Sequence, residues 1–350
     1  MKNNKDLKIN KFSALGVIHI HSIFSDGTGD IDTISKAAKK AGLDWIIITD
    51  HNSFEIKEGF YNGVYVIKGE ELSPKDNKNH YIALGINRNI TPACDVQLNI
   101  DAVRENGGFG FAAHPYESDK RKNPYPPIKW TDKNAIPDGV EIWNWFSQWA
   151  DKLNDKNLFT LAYAYLFKHN LVKEPYRKTL DWWDNLNNCQ DKIFPATGGG
   201  DIHALKISKY LIPVTVFPYE TIFRTITNVL SLDEPLSKDF ETGKKQILNA
   251  IKSGRNLIVN RKVSKYIPQF IVSNSKATVC SGEKIALDAN TLCTVNTKRN
   301  SLIKVFRDGI EIQNIVSQNL KLLLNKVGKY RVEIKIKDRG FAYSNPVIVY

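Results

Sequence analysis

The sequence predicts an α/β protein built on a closed, barrel-like parallel sheet and followed by a small β-sandwich. From Leu15 to about Lys262, short apolar runs alternate with amphipathic stretches bounded by caps and glycines, the rhythm of strand–helix units. Runs such as Trp45-Ile46-Ile47-Ile48 are apolar without a break, as a strand covered on both faces requires. After about Ser264 the period drops to two. Tyr330, Val332, Ile334 and Ile336 there alternate with Lys329, Arg331, Glu333, Lys335 and Lys337, which marks half-buried antiparallel strands. The expected division is residues 1–263 for the barrel and 264–350 for the sandwich.

The first strand is expected over Gly16–His21. A helix follows, capped by Asp30, with Ile31, Ile34, Ala38 and Ala41 on one face and Gly42 as its stop. Further strands are expected at Trp45–Ile48, Val64–Lys68, Tyr81–Gly85, Gly108–Ala113, Gly139–Trp143 and Ile193–Thr197. Thr91-Pro92 reads as a cap and first-turn proline opening another helix, which Gly107-Gly108 closes. Residues 145–190 form a helical, aromatic-rich insertion with Trp145, Trp149, Trp182 and Trp183. Most of these rings are expected in the core, with a minority available to wall a pocket. The last helix spans about Thr242–Ser253, Ile247, Leu248 and Ile251 pointing inward. In the sandwich Ile285, Leu287 and Ala289 are read as one face of a strand at a period of two, and Asp308-Gly309 signals a hairpin turn between Val305-Phe306 and Ile310–Ile312.

Composition bounds the function. A chain of 350 residues, 42% hydrophobic and 25% charged, buries a core without metal or disulfide staples, so a metal here would serve chemistry. Disorder, collagen and coiled coil are excluded on the same grounds. The apolar stretch Phe159–Phe167 is too short for a membrane span and is broken by Tyr163 and Tyr165. Met1–Lys11 lacks the apolar segment of a secretory signal. Cys94, Cys189, Cys280 and Cys293 form no CxxC pair, so a cytoplasmic location is expected. The net charge of +12 is spread along the whole chain. It reads as a solvated surface, and neither nucleic acid nor membrane is an expected partner.

Histidine carries the chemistry. Six of the seven histidines stand in settings that suit metal ligands, and only His169 does not. His19-Ile20-His21 ends the first strand, where positions i and i+2 share a face. Asp26 follows in a Ser-Asp-Gly turn, and His51 comes directly after Asp50 at the end of the second buried strand. Glu71 closes the third strand, His80 and His114 begin and end two more, and Asp201-Ile202-His203 repeats the spacing after Gly198–Gly200. A parallel sheet places its ligands at the carboxyl ends of strands. Any one of these residues alone is a weak signal; nine at the ends of successive strands are a strong one.

The order His-x-His, Ser-Asp-Gly, Thr-Asp-His-Asn, Glu, His, His-Pro, Asp-x-His resembles the PHP (polymerase and histidinol phosphatase) superfamily over roughly residues 13–262. Gly139-Val140-Glu141-Ile142-Trp143-Asn144 and Tyr343-Ser344-Asn345-Pro346 are similar to its carbaryl-hydrolase-like branch, which carries a C-terminal β domain. The resemblance implies a distorted (β/α)7 barrel and a metal-dependent hydrolase with two or three divalent ions, manganese, iron or zinc. It implies that His19, His21, Glu71 and Asp201 hold one ion. Glu71, His80 and His114 would hold a second, and Asp26, His51 and His203 a third. All nine positions are filled. Glu71 and Asp201 are the catalytic candidates, with Glu141 orienting a histidine or relaying a proton. Asn52, Asn144 and Lys206 are candidate substrate contacts.

A hydroxide bridging two ions is a nucleophile at neutral pH. Three divalent ions, offset by three carboxylates and one hydroxide, leave roughly +2, which a phosphate monoester dianion neutralises. The leading expectation is a phosphoesterase acting on a small-molecule or nucleotide phosphoester. The alternative is a carboxylic or carbamate ester hydrolase, favoured by aromatic walls from residues 145–183. A nuclease and a non-catalytic binding module rank lower. The β domain is expected to pack on the barrel or mediate self-association.

Overall fold

The structure is a computed structural model and describes residues 12–118, 126–132, 134–152, 166, 168–207 and 214–350. Met1–Lys11, the interior of the 145–190 insertion at 153–165, and the 159–167 stretch apart from position 166 lie outside the described residues.

Seven strands close into a barrel: β1 (Phe12–Ile20), β2 (Trp45–Ile48), β3 (Val64–Leu72), β4 (Tyr81–Leu84), β5 (Phe109–Ala112), β6 (Gly139–Asn144) and β7 (Ala196–Ile202). Neighbours pair in parallel and β7 returns to β1, except that β4 runs antiparallel to both β3 and β5. The exception has a steric cause. A parallel crossover needs about a dozen residues or more, and the short turn 73–80 between β3 and β4 cannot supply them. The reversal decides where His80 lies: it precedes β4, yet shares the barrel mouth with residues that follow the other strands.

The helices are α1 (Ile31–Lys40), α2 (Val96–Glu105), α3 (Trp145–Ala150), α4 (Arg177–Asn188), α5 (Tyr219–Phe223) and α6 (Phe240–Lys252). A regular (β/α)7 alternation is not met, since β2 and β3 are joined by a segment whose short strand Gly59–Tyr61 pairs antiparallel with β3, and β3 and β4 by a turn. α1 opens as the sequence requires, Asp30 accepting the Thr33 N–H at 2.8 Å, and Gly42 closes it at φ +72°. α2 corrects the sequence reading. It starts after Asp95, not at Thr91-Pro92, because the Asn99 side chain bonds both the N–H and the carbonyl of Ala93 at 2.7 and 2.9 Å and holds that stretch out of the helix. The strand expected at Ile193–Thr197 is also displaced and runs over Ala196–Ile202.

β1 outlasts the barrel. Its first half pairs antiparallel with β8 (Ile226–Leu232), and β8 pairs with β9 (Asn256–Asn260). Beyond residue 264 come β10 (Gln269–Ser273), β11 (Leu292–Arg307), β12 (Ile310–Leu323), β13 (Gly328–Ile336), β14 (Arg339–Ser344) and β15 (Val347–Val349). β14 adds to β9, so one sheet runs from the barrel into the C-terminal strands. Their shared core sets Val229 and Val259 beside Val272, Ile303, Val305, Val332 and Phe341. The Asp308-Gly309 turn joins β11 to β12 with both residues at positive φ. Arg331 of β13 forks onto Asp184 of α4 at 2.7 and 2.6 Å and meets Glu333 at 2.8 Å, which pins the insertion to the C-terminal sheet. Trp145, Trp149 and Trp183 are core residues. All four cysteines are free thiols.

Candidate metal centre

All nine predicted ligands meet at one mouth of the barrel. Their side-chain N and O atoms form four overlapping groups, each within 4.8 Å: His19, His21 and Asp201; His19, Glu71 and His114; His51, Glu71 and His80; and His21, Asp26, His51 and His203. Glu71 is the hub. One carboxylate oxygen lies 2.8 Å from His80 Nδ1 and 3.4 Å from His114 Nε2. The other lies 3.2 Å from His19 Nε2, 3.4 Å from His21 Nε2 and 3.1 Å from His51 Nδ1. Asp201 stands 3.4 Å from His21 Nε2 and 3.6 Å from His19 Nε2. Asp26 is 3.1 Å from His203 and 3.9 Å from His51.

The backbone is bent to make this cluster. His19, His114 and Asp201 have φ of +66°, +29° and +51°, a region costly for residues with a Cβ and concentrated at functional sites. The i, i+2 argument for His19 and His21 therefore needs correction. The register between β1 and β7 shifts between Ile18 and Ile20, at the positive φ of His19, and both imidazoles face Glu71 across this irregular stretch. Gly199 answers a packing demand, because a Cβ there would lie 1.8 Å from Glu141 Oε1 and 2.9 Å from His19 Cβ.

Glu141 stands outside the four groups. One of its oxygens accepts from His19 Nδ1 at 2.8 Å, leaving Nε2 to face Glu71. The other accepts the His114 N–H at 2.8 Å and the Asn144 amide at 3.0 Å. A carboxylate behind a histidine fixes ring orientation and tautomer in this way.

Burial penalises every charge here, and each group's neighbours decide the outcome. Burial, reinforced by His203 and His51, pulls His21 down to about 3. Burial also opposes protonation of His19, but Glu141, Glu71 and Asp201 outweigh it and hold the ring well above its usual value. His114 is raised to about 9 against the same penalty, chiefly by its hydrogen bond to Glu71. Burial would raise Glu71 and Asp201, yet the surrounding imidazoles hold both well below the usual carboxylate range. Asp26 falls to about 2, burial being overcome by its hydrogen bond to His203.

The donor set fits divalent cations. Both nitrogens of His21 and Nδ1 of His114 are buried without a hydrogen-bond partner, a costly state for polar atoms unless something coordinates them. Ligands about 2.1 Å from one ion in tetrahedral array lie about 3.4 Å apart, close to the Glu71–imidazole separations of 3.1–3.4 Å. Nitrogen and oxygen donors without thiolate suit zinc, manganese or iron.

A cavity of about 410 Å³ opens over the cluster, with Asp26, His51, Glu71, His80, His114, Asp201 and His203 at its base. Its walls include Ser73, Lys75, Glu117, Ile128, Phe146 and Leu205. The expected substrate contacts are placed elsewhere. Asn144 is buried, one end of its amide on Glu141 and the other capping α3 at Ser147. Asn52 clasps the backbone of Ser73 through both amide atoms at 2.8 Å, and Lys206 is exposed and absent from the described lining. Phe146 is the aromatic wall residue among the described lining; Trp145, Trp149, Trp182 and Trp183 do not line the cavity.

Some supporting residues were not legible in the sequence. Asp50 accepts from the Ser22 N–H, Ser22 Oγ and Ser25 Oγ at 2.7, 2.6 and 2.5 Å, fixing the front of the turn that carries Asp26. Its adjacency to His51 was the available signal. Ser73 Oγ sits 2.6 Å from His51 Nδ1, and nothing in its neighbourhood announced that.

The family model of the PHP domain matches residues 18–125, a span holding His19, His21, Asp26, His51, Glu71, His80 and His114. An uncharacterised protein of Methanocaldococcus jannaschii is 29% identical over 117 residues, covering 28% of this chain. The match spans 66% of that relative's length, just under two thirds. Among solved structures, a two-domain protein of Bacteroides vulgatus containing a predicted PHP-like metal-dependent phosphoesterase aligns with 96% of this chain and 95% of its own, at 15% identity and a TM-score of 0.47. A candidate metal-dependent phosphoesterase of Bifidobacterium adolescentis aligns with 54% of this chain and 87% of its own, at 15% identity and a TM-score of 0.34. No helix among the described residues is long and apolar enough to cross a membrane.

Proposed function

We propose that the chain is a metal-dependent phosphoesterase whose ligands are His19, His21, Asp26, His51, Glu71, His80, His114, Asp201 and His203. The observation that carries the reading is the Glu71 carboxylate, one oxygen facing His80 and His114 and the other facing His19, His21 and His51. Divalent ions held there would acidify water to a nucleophile at neutral pH and neutralise charge on a phosphoryl group. Glu141 holds His19, and through the His114 N–H it also fixes the loop after β5. Ser73 holds His51. Lys75, the cation of the described cavity lining, is proposed to meet the substrate phosphate in the role first given to Lys206. Phe146, Ile128 and Leu205 would cover the leaving alcohol and limit water.

The test is turnover of chromogenic phosphate monoesters and diesters by protein stripped of metal and reloaded with manganese, iron or zinc. Metal-dependent phosphate release is expected; inactivity across a broad phosphoester panel sinks the proposal. Carboxylic or carbamate ester hydrolysis is the second reading, favoured by the apolar walls, and an aryl ester panel on the same preparations separates the two. Division at residues 263 and 264, and self-association through the C-terminal strands, belong to the proposal as well. β12 supports the latter by exposing Ile310, Ile315, Val316 and Leu323, and light scattering tests it.

A further inference from the structure

The ligands of the outer group differ in how they are fixed. His203 follows a barrel strand, whereas Asp26 is exposed on the loop 22–29. Asp50 fastens the front of that loop. Its rear is fastened from far away in sequence. The Tyr219 hydroxyl, at the start of α5, donates to the His21 carbonyl at 2.7 Å and accepts the N–H groups of Thr28 and Gly29 at 3.2 and 3.0 Å. One donated and two accepted bonds use the full capacity of a hydroxyl. The same oxygen thereby ties the backbone of an inner ligand, His21, to the end of the loop bearing an outer one. Thr28 carries the tie on to the third element, its N–H bonding the His203 carbonyl at 3.0 Å and its Oγ1 the Ala204 carbonyl at 2.7 Å. The tyrosine ring is itself seated by a missing side chain, since a Cβ on Gly29 would lie 2.6 Å from Tyr219 Cε2. The ring is buried in the barrel core, and the hydroxyl also lies 3.4 Å from the His203 carbonyl.

We propose that Tyr219 is a positioning residue that sets the affinity of the outer ion, by holding the loop 22–29 so that Asp26 faces His51 and His203. The inference rests on the metal-centre reading above. Its effect falls on the outer group, because Asp26 is the ligand the loop carries, whereas His21 is held in addition by its N–H on the Ile202 carbonyl at 2.9 Å. Removing the hydroxyl leaves the ring in place and frees the buried Gly29 N–H and the His21 carbonyl, while the Thr28 N–H keeps only its bond to the His203 carbonyl. The loop can then reach water only by moving away from His203.

The experiment compares the full-length wild type with Tyr219→Phe and Gly29→Ala, each stripped of metal and titrated with Mn²⁺ and with Zn²⁺ by calorimetry. Bound metal is counted after dialysis, and melting of the metal-free forms checks the fold. Wild type is expected to take up inner ions tightly and one outer ion more weakly. Tyr219→Phe should keep the inner affinities and weaken the outer ion about 10- to 100-fold, the range for residues that orient ligands. Gly29→Ala should change affinity in the same direction by displacing the ring. Unchanged outer affinity in Tyr219→Phe overturns the inference. So does an equal loss at every ion, which marks general loosening, and so does a wild type with no outer ion. A wild type that binds no ion at all overturns instead the reading on which the inference rests.

Discussion

Among the proposed ligands, His19, Glu71 and Asp201 sit on barrel strands and His114 two residues past one, whereas Asp26 and His51 sit on the loops into which those strands run; His203, one residue past its strand, joins the two sets. The first set is almost closed to solvent, with Glu71 and His19 at 0% exposure; the Asp26 side chain is 58% exposed and that of His51 27%. Floor and rim use the same residue types for the same task and differ in what holds them. Floor ligands are fixed by the barrel's own hydrogen bonds, by strained backbone at His19, His114 and Asp201, and by Glu141 behind them. Rim ligands are fixed by side chains reaching in from elsewhere, namely Asp50, Ser73 and Tyr219. A floor of this kind is pre-organised whether or not an ion is present, while a rim of this kind can be tuned without disturbing the barrel.

The contrast is broken most severely at Glu71. Glu71→Gln leaves one acceptor oxygen where two imidazole groups need one each. The expected loss of turnover exceeds the 100-fold typical of supporting residues, and metal counts should fall at both inner groups. Retained stoichiometry with near-normal turnover would remove Glu71 from its central place. Glu141→Gln comes next. The carboxylate accepts from His19, the His114 N–H and Asn144. A glutamine offers a single oxygen, so whichever way it turns, a buried donor faces a donor. A 10- to 100-fold loss of metal affinity or activity is expected, with a stability cost of about 1–3 kcal/mol. Calorimetric titration and melting of the same variant measure both.

The floor was far more legible in sequence than the rim's supports, and the reason is chemical. Imidazoles and carboxylates at successive strand ends are improbable unless they share an ion, so His19 through His203 could be read from residue type and position. Supports are ordinary residues whose roles depend on tertiary approach. Tyr219 is nearly two hundred positions from the loop it holds, and Asn144 carries the same amide whether it touches substrate or caps α3. Fold-level misreadings have similar causes. Thr91-Pro92 is a good helix start by local rules, but the Asn99 side chain overrides them. The strand through Gly198–Gly200 has the weakest strand propensity of the barrel. Its glycines answer close neighbours, Ile226 and Ile258 at Gly198 and Glu141 and His19 at Gly199, which occupy the space a side chain would need. The continuity of β9 with β14 is a long-range pairing that no local period encodes.

At the rim a smaller effect is expected. Asp26→Asn keeps the size of the side chain and removes its charge at an exposed position, so only the outer ion should weaken, by about tenfold, an order-of-magnitude figure from a single charge–ligand contact near solvent. Inner stoichiometry and melting temperature should stay at wild-type values. If Asp26→Asn instead empties the inner groups, the separation of floor from rim is wrong.

The smallest effect separates the two regions without any metal. In stripped protein the floor is a cage of acids and imidazoles, and its titration is visible in stability. His114 is raised to about 9, so its stabilising contribution is complete below about 6.5 and is lost as pH rises through 9. His21 is lowered to about 3. Between pH 6.5 and 3 the unfolded chain therefore takes up a proton that the folded chain refuses, and stability falls on that side too. Glu71 and Asp201, held low, add to the acid loss. Melting temperature in chelator should therefore peak near pH 6–7 and decline by a few degrees toward pH 9.5. His114→Gln should shrink the alkaline decline, the rest of which His19, also held well above its usual value, retains. Asp26→Asn should trim it only in part, because Asp26 helps hold the partly rim-side His203 above its usual value, while Asp26 itself, at about 2, contributes only to the acid side. A profile that rises steadily to pH 9.5, or an alkaline decline that Asp26→Asn removes, would place the coupled charges at the rim.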